Sequence, residues 1–171
     1  MFRVKSIEET VRVIQGNLLT LAHAGRFDVI VHGCNCFNTM GSGIARDIKD
    51  SLPEAYAVDQ QTKRGDRNKL GTYTHAVVPF GKHPSLVVVN AYTQYRYGGG
   101  GPHFDYSAFD LVLQELRKNF PSLKFGFPRI GSGLAGGDAV IIQEQIAGRL
   151  KGMDVTIVEW DGSQFAYEES H

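Results

Sequence analysis

Short runs rich in β-branched residues alternate along the chain with segments whose apolar residues recur at helical spacing. Several of the short runs are apolar almost without interruption, which is typical of strands in a sheet covered on both faces. Each helical segment carries one apolar stripe, as helices packed on a sheet do. The pattern therefore predicts an α/β layered domain. The predicted strands are VRVIQ, DVIVHG, THAVV, SLVVVNAY, KFGFPRI and DVTIVEW, and the predicted helices lie around 44–52, 109–120 and 142–150.

The ends of the predicted helices carry capping signals. Asp105 or Ser107 can cap the second helix, and Pro121 follows its end. Asp138 can cap the last helix in the same way. The segment 162–171 has little apolar periodicity, so we expect this tail to fray. At 171 residues, the chain is expected to form one domain, 1–171.

The charge balance limits how an anionic ligand can be held. The chain has 18 basic and 18 acidic residues, so its overall field does not attract nucleic acid or an anionic membrane. An anion must therefore be held by local groups. No apolar run approaches the ~20 residues of a membrane helix, and the first residues lack a signal-peptide pattern. We therefore expect no membrane partner and a cytoplasmic protein. The two cysteines, Cys34 and Cys36, are too close together on an extended segment to bridge easily, which agrees with a reducing compartment.

A glycine-spaced loop follows the second predicted strand, in the stretch HGCNCFNTMGSGIA. Ligands of open α/β sheets bind beyond the carboxyl ends of the strands, where this loop falls. Gly41 and Gly43 would let backbone N–H groups approach an anion at the start of the next helix. A tight turn is the alternative, but the amide of Asn35 favours a ligand site. A metal site formed by His32, Cys34 and Cys36 is disfavoured, because no second cysteine pair exists.

A second glycine-rich loop, PRIGSGLAGGD, again joins a strand to a helix. Its glycines match the dinucleotide pattern G-x-G-x-x-G, and Glu159 follows at about the expected distance. A Rossmann domain needs further strand–helix units after that acid, and the chain ends too soon for them. Both interpretations place a pyrophosphate at this loop. A third loop, YGGGGPHFDYSAF, is either a surface hinge or a lid with Tyr97 or His103 as ligand contacts.

The three loops, in this order, resemble the macrodomain, the ADP-ribose-binding α/β module. The resemblance extends from QGNLL through HGCNCFNTMGSGIA to PRIGSGLAGGD and the last helix and strand. It implies a three-layer α/β/α fold with a mixed, mostly parallel central sheet. Within the family, HGCNC followed by GSGIA is most similar to the branch of ADP-ribose 1″-phosphate phosphatases. The resemblance implies a small-molecule ADP-ribose ligand, no cofactor and no metal.

The resemblance also implies a role for each motif residue. The Asn17 side chain would face the adenine, and the Leu18 backbone would contact it. Asn35 would bind the distal ribose and is expected among the catalytic residues as well. His32 and Asp138 are the expected proton-transfer or nucleophilic residues, Asp138 being equally a helix cap. The residues expected to wrap the two phosphates are Gly41, Ser42, Gly43 and Ile44 on one side, and Ile130, Gly131, Ser132, Gly133, Leu134 and Ala135 on the other.

Three departures from the family pattern affect the expected reaction. Asn17 stands where many macrodomains have Asp, and Ala139 stands where relatives often carry an aromatic residue. Ala135 stands where some ADP-ribosyl hydrolases have an Asp that works with a Lys, and neither Lys63 nor Lys69 aligns clearly with that Lys. The expected function is therefore hydrolysis of ADP-ribose 1″-phosphate. Removal of ADP-ribose from protein or nucleic acid, and non-catalytic ADP-ribose binding, remain the alternatives.

Overall fold

All six predicted strands are present, in a computed structural model that describes residues 11–98, 102–133 and 135–166. Each strand is rich in β-branched or aromatic residues, which suit a pleated and buried surface. The strand predictions are therefore confirmed. The strands are β1 (Val11–Gly16), β2 (Val29–Cys34), β3 (Tyr73–Phe80), β4 (His83–Tyr92), β5 (Lys124–Pro128) and β6 (Asp154–Trp160).

Five α-helices are described, two more than the sequence predicted. One of the unpredicted helices has only 6 residues, too few to show a stripe. The other begins at Pro53, directly after Leu52, where the proline ring interrupts the helical ladder and starts a new helix. The helices are α1 (Leu18–His23), α2 (Gly43–Ser51), α3 (Pro53–Gln60), α4 (Tyr106–Asn119) and α5 (Ala139–Arg149), with a short 3₁₀ turn at Arg67–Lys69.

The strands form one sheet in the order β1-β6-β5-β2-β4-β3. All neighbouring strands are parallel except β3 and β4, which form an antiparallel pair at one edge. The expected mixed, mostly parallel sheet is thus confirmed. The order also differs from that of a Rossmann domain, in which the first strand lies at the centre of the sheet.

The helices cover both faces of the sheet and so complete three layers. Val29 and Val31 of β2 belong to the core beneath α4 and α5, whereas Ile30 belongs to the core beneath α1, α2 and α3. Successive side chains of a strand point to opposite faces, so His32 shares the face of Ile30. No described helix is long and apolar enough to span a membrane.

The sheet order opens a crevice between two neighbouring strands. The chain leaves β2 towards the face that carries α2 and α3, and it leaves β5 towards the opposite face, which carries α5. Two loops that start side by side and diverge to opposite faces leave a gap between them, the usual ligand position in open α/β sheets. Both glycine-rich loops border this gap.

The first half of the tail packs on the domain, so the expectation of fraying over its whole length was wrong there. The Phe165 ring lies 5.4 Å from the ring centroids of both Phe80 and His23. The Ser163 carbonyl also accepts two side-chain hydrogen bonds, described below. Residues 167–171, the rest of the expected frayed tail, lie outside the described residues.

Candidate ligand-binding cleft

A cleft of about 640 Å³ lies in the crevice at the carboxyl ends of β2, β4 and β5. Two depressions that contain Arg117 and Lys151, of about 460 and 370 Å³, lie at the other end of the molecule. The cleft has a floor from β2, a wall from each glycine-rich loop and an end wall beyond β4. Of the predicted site residues, it is lined by Asn35, Gly41, Ser42, Gly43, Ile44, Ile130, Gly131, Gly133 and Ala135.

The first glycine-rich loop presents backbone donors at the start of α2. Gly41, Ser42 and Gly43 are exposed at the cleft. The Ser42 hydroxyl makes no capping hydrogen bond, although Ser42 occupies the N-cap position. The first N–H groups of α2 therefore remain free to bind an anion, with the helix dipole assisting.

The second glycine-rich loop is shaped by close packing. Gly131 has a φ of 72°, and a Cβ there would lie 2.2 Å from the Phe104 ring. Gly133 is different, because a Cβ there would meet no atom within 4 Å. The Ser132 hydroxyl donates to the Arg129 carbonyl at 2.9 Å and does not line the cleft. Leu134, also predicted here, lies outside the described residues.

Asn35 lies on the floor of the cleft with its amide fixed. Its Oδ1 accepts from the Phe37 N–H at 2.8 Å, and its Nδ2 donates to the Thr39 hydroxyl at 2.8 Å. These bonds close a local turn of the kind that asparagine side chains favour. Asn35 thus shapes the first glycine-rich loop as well as bordering the cleft.

His32 does not reach the cleft, which corrects its expected place in the site. The side chain is fully buried and does not line the cleft, and its Nε2 lies 2.6 Å from Asn90 Oδ1. Burial lowers the pKa of His32 to about 4, so the imidazole is neutral at pH 7. A fully buried histidine that does not line the cleft has no contact with a ligand there.

Asp138 also lies outside the lining of the cleft. Its Oδ1 accepts from the backbone N–H groups of Val140 and Ile141, at 2.8 and 3.2 Å, and so caps α5. Of the two roles predicted for Asp138, the structure therefore supports the cap. Its carboxylate thus already binds two of the free N–H groups at the amino end of α5.

Asn17 and Trp160 meet at the carboxyl ends of β1 and β6, outside the lining of the cleft. Asn17 Oδ1 caps α1, while its Nδ2 donates to the Ser163 carbonyl at 3.0 Å. Trp160 Nε1 donates to the same carbonyl at 2.7 Å, and 71% of Trp160 is exposed. Leu18 is buried in the core.

The exposed indole of Trp160 beside the Asn17 amide suits stacking and edge contact with a base. The sequence analysis missed Trp160, although a lone tryptophan at a strand end is a visible signal.

A buried lysine supports the turn between the floor and the first glycine-rich loop. Lys69 Nζ donates to Asn38 Oδ1 at 2.6 Å and to the Cys36 carbonyl at 3.1 Å. Asn38 has a φ of 59°, a left-handed conformation that non-glycine residues adopt only where the surroundings hold them. Lys69 is therefore a structural residue of this turn, whereas Lys63 is exposed.

The end wall of the cleft comes from the segment after β4. It contains Gln94, Tyr97, Gly98 and His103. Gly98 alone of the four glycines 98–101 is described, so most of the predicted lid lies outside the described residues. His103 Nε2 lies 2.6 Å from the Gly98 carbonyl oxygen.

The cleft contains little free charge. Arg129 lines it, but its guanidinium donates to Glu159 Oε1 at 2.6 Å and to Gln143 Oε1 at 2.7 Å. In a dinucleotide-binding domain, the acid at the position of Glu159 would hydrogen-bond a ribose hydroxyl. Here Glu159 pairs with Arg129 instead. No group of three His, Cys, Asp or Glu within 11–98, 102–133 and 135–166 is placed to hold a metal ion.

Solved structures with this architecture include macrodomains. The Mycobacterium tuberculosis DarG macrodomain matches with a TM-score of 0.68 at 18% identity, over 90% of this chain and 98% of that one. A Bacteroides thetaiotaomicron protein matches with a TM-score of 0.73 at 25% identity, over 87% of this chain and 99% of that one. The chain has the macrodomain fold. The predicted fold is thus confirmed, and the likeness to solved macrodomains agrees with the predicted family.

Another macrodomain neighbour was solved with a ligand. Thermosipho africanus DarTG in complex with ADP-ribose matches with a TM-score of 0.71 at 14% identity, over 94% of this chain and 44% of that one. No known protein-family profile matches the chain.

By sequence, this macrodomain and a phage T4 protein belong to one family. The T4 protein is an uncharacterized 17.5 kDa protein of the tk-vs intergenic region, 35% identical over 157 residues, which are 88% of this chain and 97% of that protein. An ADP-ribose 1″-phosphate phosphatase of Neosartorya fischeri is 36% identical over 53 residues, 31% of this macrodomain and 25% of the enzyme. The macrodomain thus matches only a quarter of that phosphatase.

Proposed function

We propose that this macrodomain binds ADP-ribose and releases phosphate from ADP-ribose 1″-phosphate. The observation that carries the proposal is the cleft between two glycine-rich loops at the carboxyl edge of the sheet. A diphosphate fits there because backbone N–H groups and the start of α2 can hold it without a free lysine or arginine. A chain with zero formal net charge needs such a local anion site.

The strand order gives the ligand a direction. Trp160 and Asn17 lie at the β1–β6 end of the sheet, and the two glycine-rich loops follow β5 and β2. Three inter-strand steps of ~4.8 Å separate β6 from β4, about 14 Å in all. An adenine at Trp160 with its diphosphate between the loops would therefore place the distal ribose near β2 and β4, beside Asn35.

The support for the phosphatase reaction comes from two partial relatives. The phosphatases of Neosartorya fischeri and Aspergillus fumigatus match this chain over only 53 residues each. Hydrolysis of ADP-ribosyl groups on macromolecules uses the same cleft, and so does ADP-ribose binding without turnover. Phosphate release is the measurement that separates the three functions.

The binding proposal is tested by calorimetric titration of ADP-ribose into the wild type and two valine variants. Gly133→Val adds a side chain that meets no protein atom within 4 Å of its Cβ but protrudes at the cleft. Gly148→Val is the matched control, since its Cβ is equally unobstructed and lies on α5, away from the cleft. We expect both variants to keep the wild-type melting temperature. ADP-ribose affinity should fall at least about tenfold, or ~1.4 kcal/mol, in Gly133→Val alone.

The outcomes separate the candidate functions. Equal affinity in Gly133→Val and the wild type would place the ligand elsewhere and end the proposal for this cleft. If ADP-ribose binds, ADP-ribose 1″-phosphate is then incubated with the wild type and inorganic phosphate is followed. Release supports the phosphatase, whereas binding without release leaves the ADP-ribosyl hydrolase or the reader.

A further inference from the structure

Few cleft side chains can transfer a proton at neutral pH. The described lining residues with titratable groups are Cys34, Tyr97, His103 and Arg129. Burial raises the pKa of the Cys34 thiol well above its usual range, so it stays protonated. The Arg129 guanidinium already donates to Glu159 and Gln143. Tyrosine is a less frequent proton donor in catalysis than histidine. His103 is the one imidazole among the described residues of the cleft wall, and histidine is the side chain that most often transfers protons in catalysis.

The His103 ring has a defined orientation. A carbonyl oxygen only accepts, so Nε2, at 2.6 Å from the Gly98 oxygen, carries the hydrogen of that bond. The other ring nitrogen, Nδ1, is hydrogen-bonded by no residue within the described ranges. The His103 backbone N–H donates to the Ala135 carbonyl at 2.7 Å, which fixes His103 to the second glycine-rich loop.

The sheet places His103 at the end of the cleft nearest the distal ribose. Gln94, just beyond β4, forms an isolated antiparallel bridge with Phe104, the residue after His103. Thr93, before Gln94, donates its N–H to the Cys34 carbonyl at the end of β2. His103 thus lies on the β4 side of the Asn35 floor, at the opposite end of the ligand path from Trp160.

We infer that His103 is the general acid of the reaction, an assignment that rests on the proposed phosphatase function. Water attacks phosphorus and the bond from phosphorus to the bridging oxygen breaks. The protonated imidazole gives its Nδ1 proton to that oxygen, which leaves as the C1″ hydroxyl of ADP-ribose. The attacking water loses a proton to solvent, and solvent protonates the imidazole again. The Gly98 carbonyl holds Nε2–H throughout and so orients the ring.

The assignment is tested with His103→Ala, using His75→Ala as the control. His75 is exposed on β3 and does not line the cleft. For each protein we would measure ADP-ribose affinity by calorimetry, kcat for phosphate release, and kcat again with added imidazole. We expect His103→Ala to lose roughly 100-fold or more in kcat while its ADP-ribose affinity stays within about threefold. Added imidazole should restore part of the turnover, which it would not do for a structural defect.

Several results would overturn the assignment. Turnover in His103→Ala equal to that of the wild type would exclude the general-acid role. A loss of ADP-ribose affinity as large as the loss of kcat, with no rescue by imidazole, would make His103 a binding or structural residue. If the wild type itself binds ADP-ribose but releases no phosphate, the phosphatase proposal fails, and the assignment of His103 falls with it.

Discussion

The buried His32 makes the stability of this protein depend on pH in a way that can be calculated. Asn90 Nδ2 donates to the Ala55 carbonyl at 2.9 Å, which orients the amide so that Oδ1 faces His32. His32 therefore donates from Nε2, and with its pKa lowered to about 4 the ring is neutral at pH 7. Protonating it inside the core would place an uncompensated charge there, which is why burial lowers its pKa from 6.5 to about 4.

The size of the effect follows from that shift in pKa. A difference of about 2.5 units at ~1.36 kcal/mol per unit corresponds to roughly 3 kcal/mol of folding free energy. The pKa is depressed in the folded state, so between pH 6.5 and 4 the unfolded chain binds the proton more readily. The stability is therefore fully present above pH 6.5 and is lost as the pH falls towards 4. Between pH 7 and 5, we expect a loss of about 2 kcal/mol.

The assay is urea unfolding followed by far-ultraviolet circular dichroism at pH 7, 6 and 5. His32→Gln keeps an amide donor for Asn90 but cannot titrate, and His75→Gln removes an exposed imidazole as the control. Carboxylates that titrate in this range affect all three proteins alike and cancel in the differences. The wild type and His75→Gln should lose about 2 kcal/mol more than His32→Gln between pH 7 and 5. Parallel pH dependences in all three proteins would refute the reasoning from burial.

Three further predictions concern residues around the cleft. Asp138→Ala should lower the free energy of unfolding by about 1 kcal/mol in urea titrations, because the cap of α5 is lost. Asp138→Asn, an equally good cap, should keep both the wild-type stability and the turnover. Loss of turnover in Asp138→Asn would show that the carboxylate takes part in catalysis. Lys69→Met leaves Asn38 Oδ1 without its donor, although the Cys36 carbonyl still accepts from the Gly65 N–H, and should destabilise the protein by about 1–3 kcal/mol. The exposed Lys63→Met variant should keep the wild-type melting temperature. ADP-ribose should quench the fluorescence of Trp160, the sole tryptophan. Trp160→Ala should weaken ADP-ribose binding by about 5- to 150-fold. An unchanged affinity would exclude stacking of the adenine on Trp160.

Local patterns in the sequence determined the sheet and the position of the cleft. The six strands can be recognised in the sequence because runs such as SLVVVNAY are too apolar to be exposed on either face of a sheet. Gly41 and Gly43 directly follow one buried strand, and Gly131 and Gly133 follow another. Parallel strands bring their carboxyl ends to one edge, so the two loops were predicted to meet, and the structure shows that they do.

The side-chain assignments required the tertiary structure. Both faces of this sheet are covered, so alternation along β2 says that His32 and Gly33 face opposite ways but not which way the cleft lies. Asp138 could be read as a cap or a catalyst, and only the positions of the Val140 and Ile141 N–H groups decided for the cap.

The positions of the residues at the two ends of the proposed ligand path could not be derived from the sequence. Asn17 and Trp160 are far apart in the chain and meet only because β1 pairs with β6 and Ser163 accepts from both. His103 reaches the cleft only because Phe104 bridges to Gln94 beyond β4. Periodicity and glycine spacing are local properties that the sequence displays directly. Which distant side chains share one edge of the sheet depends on strand order, which the packing of the whole domain decides.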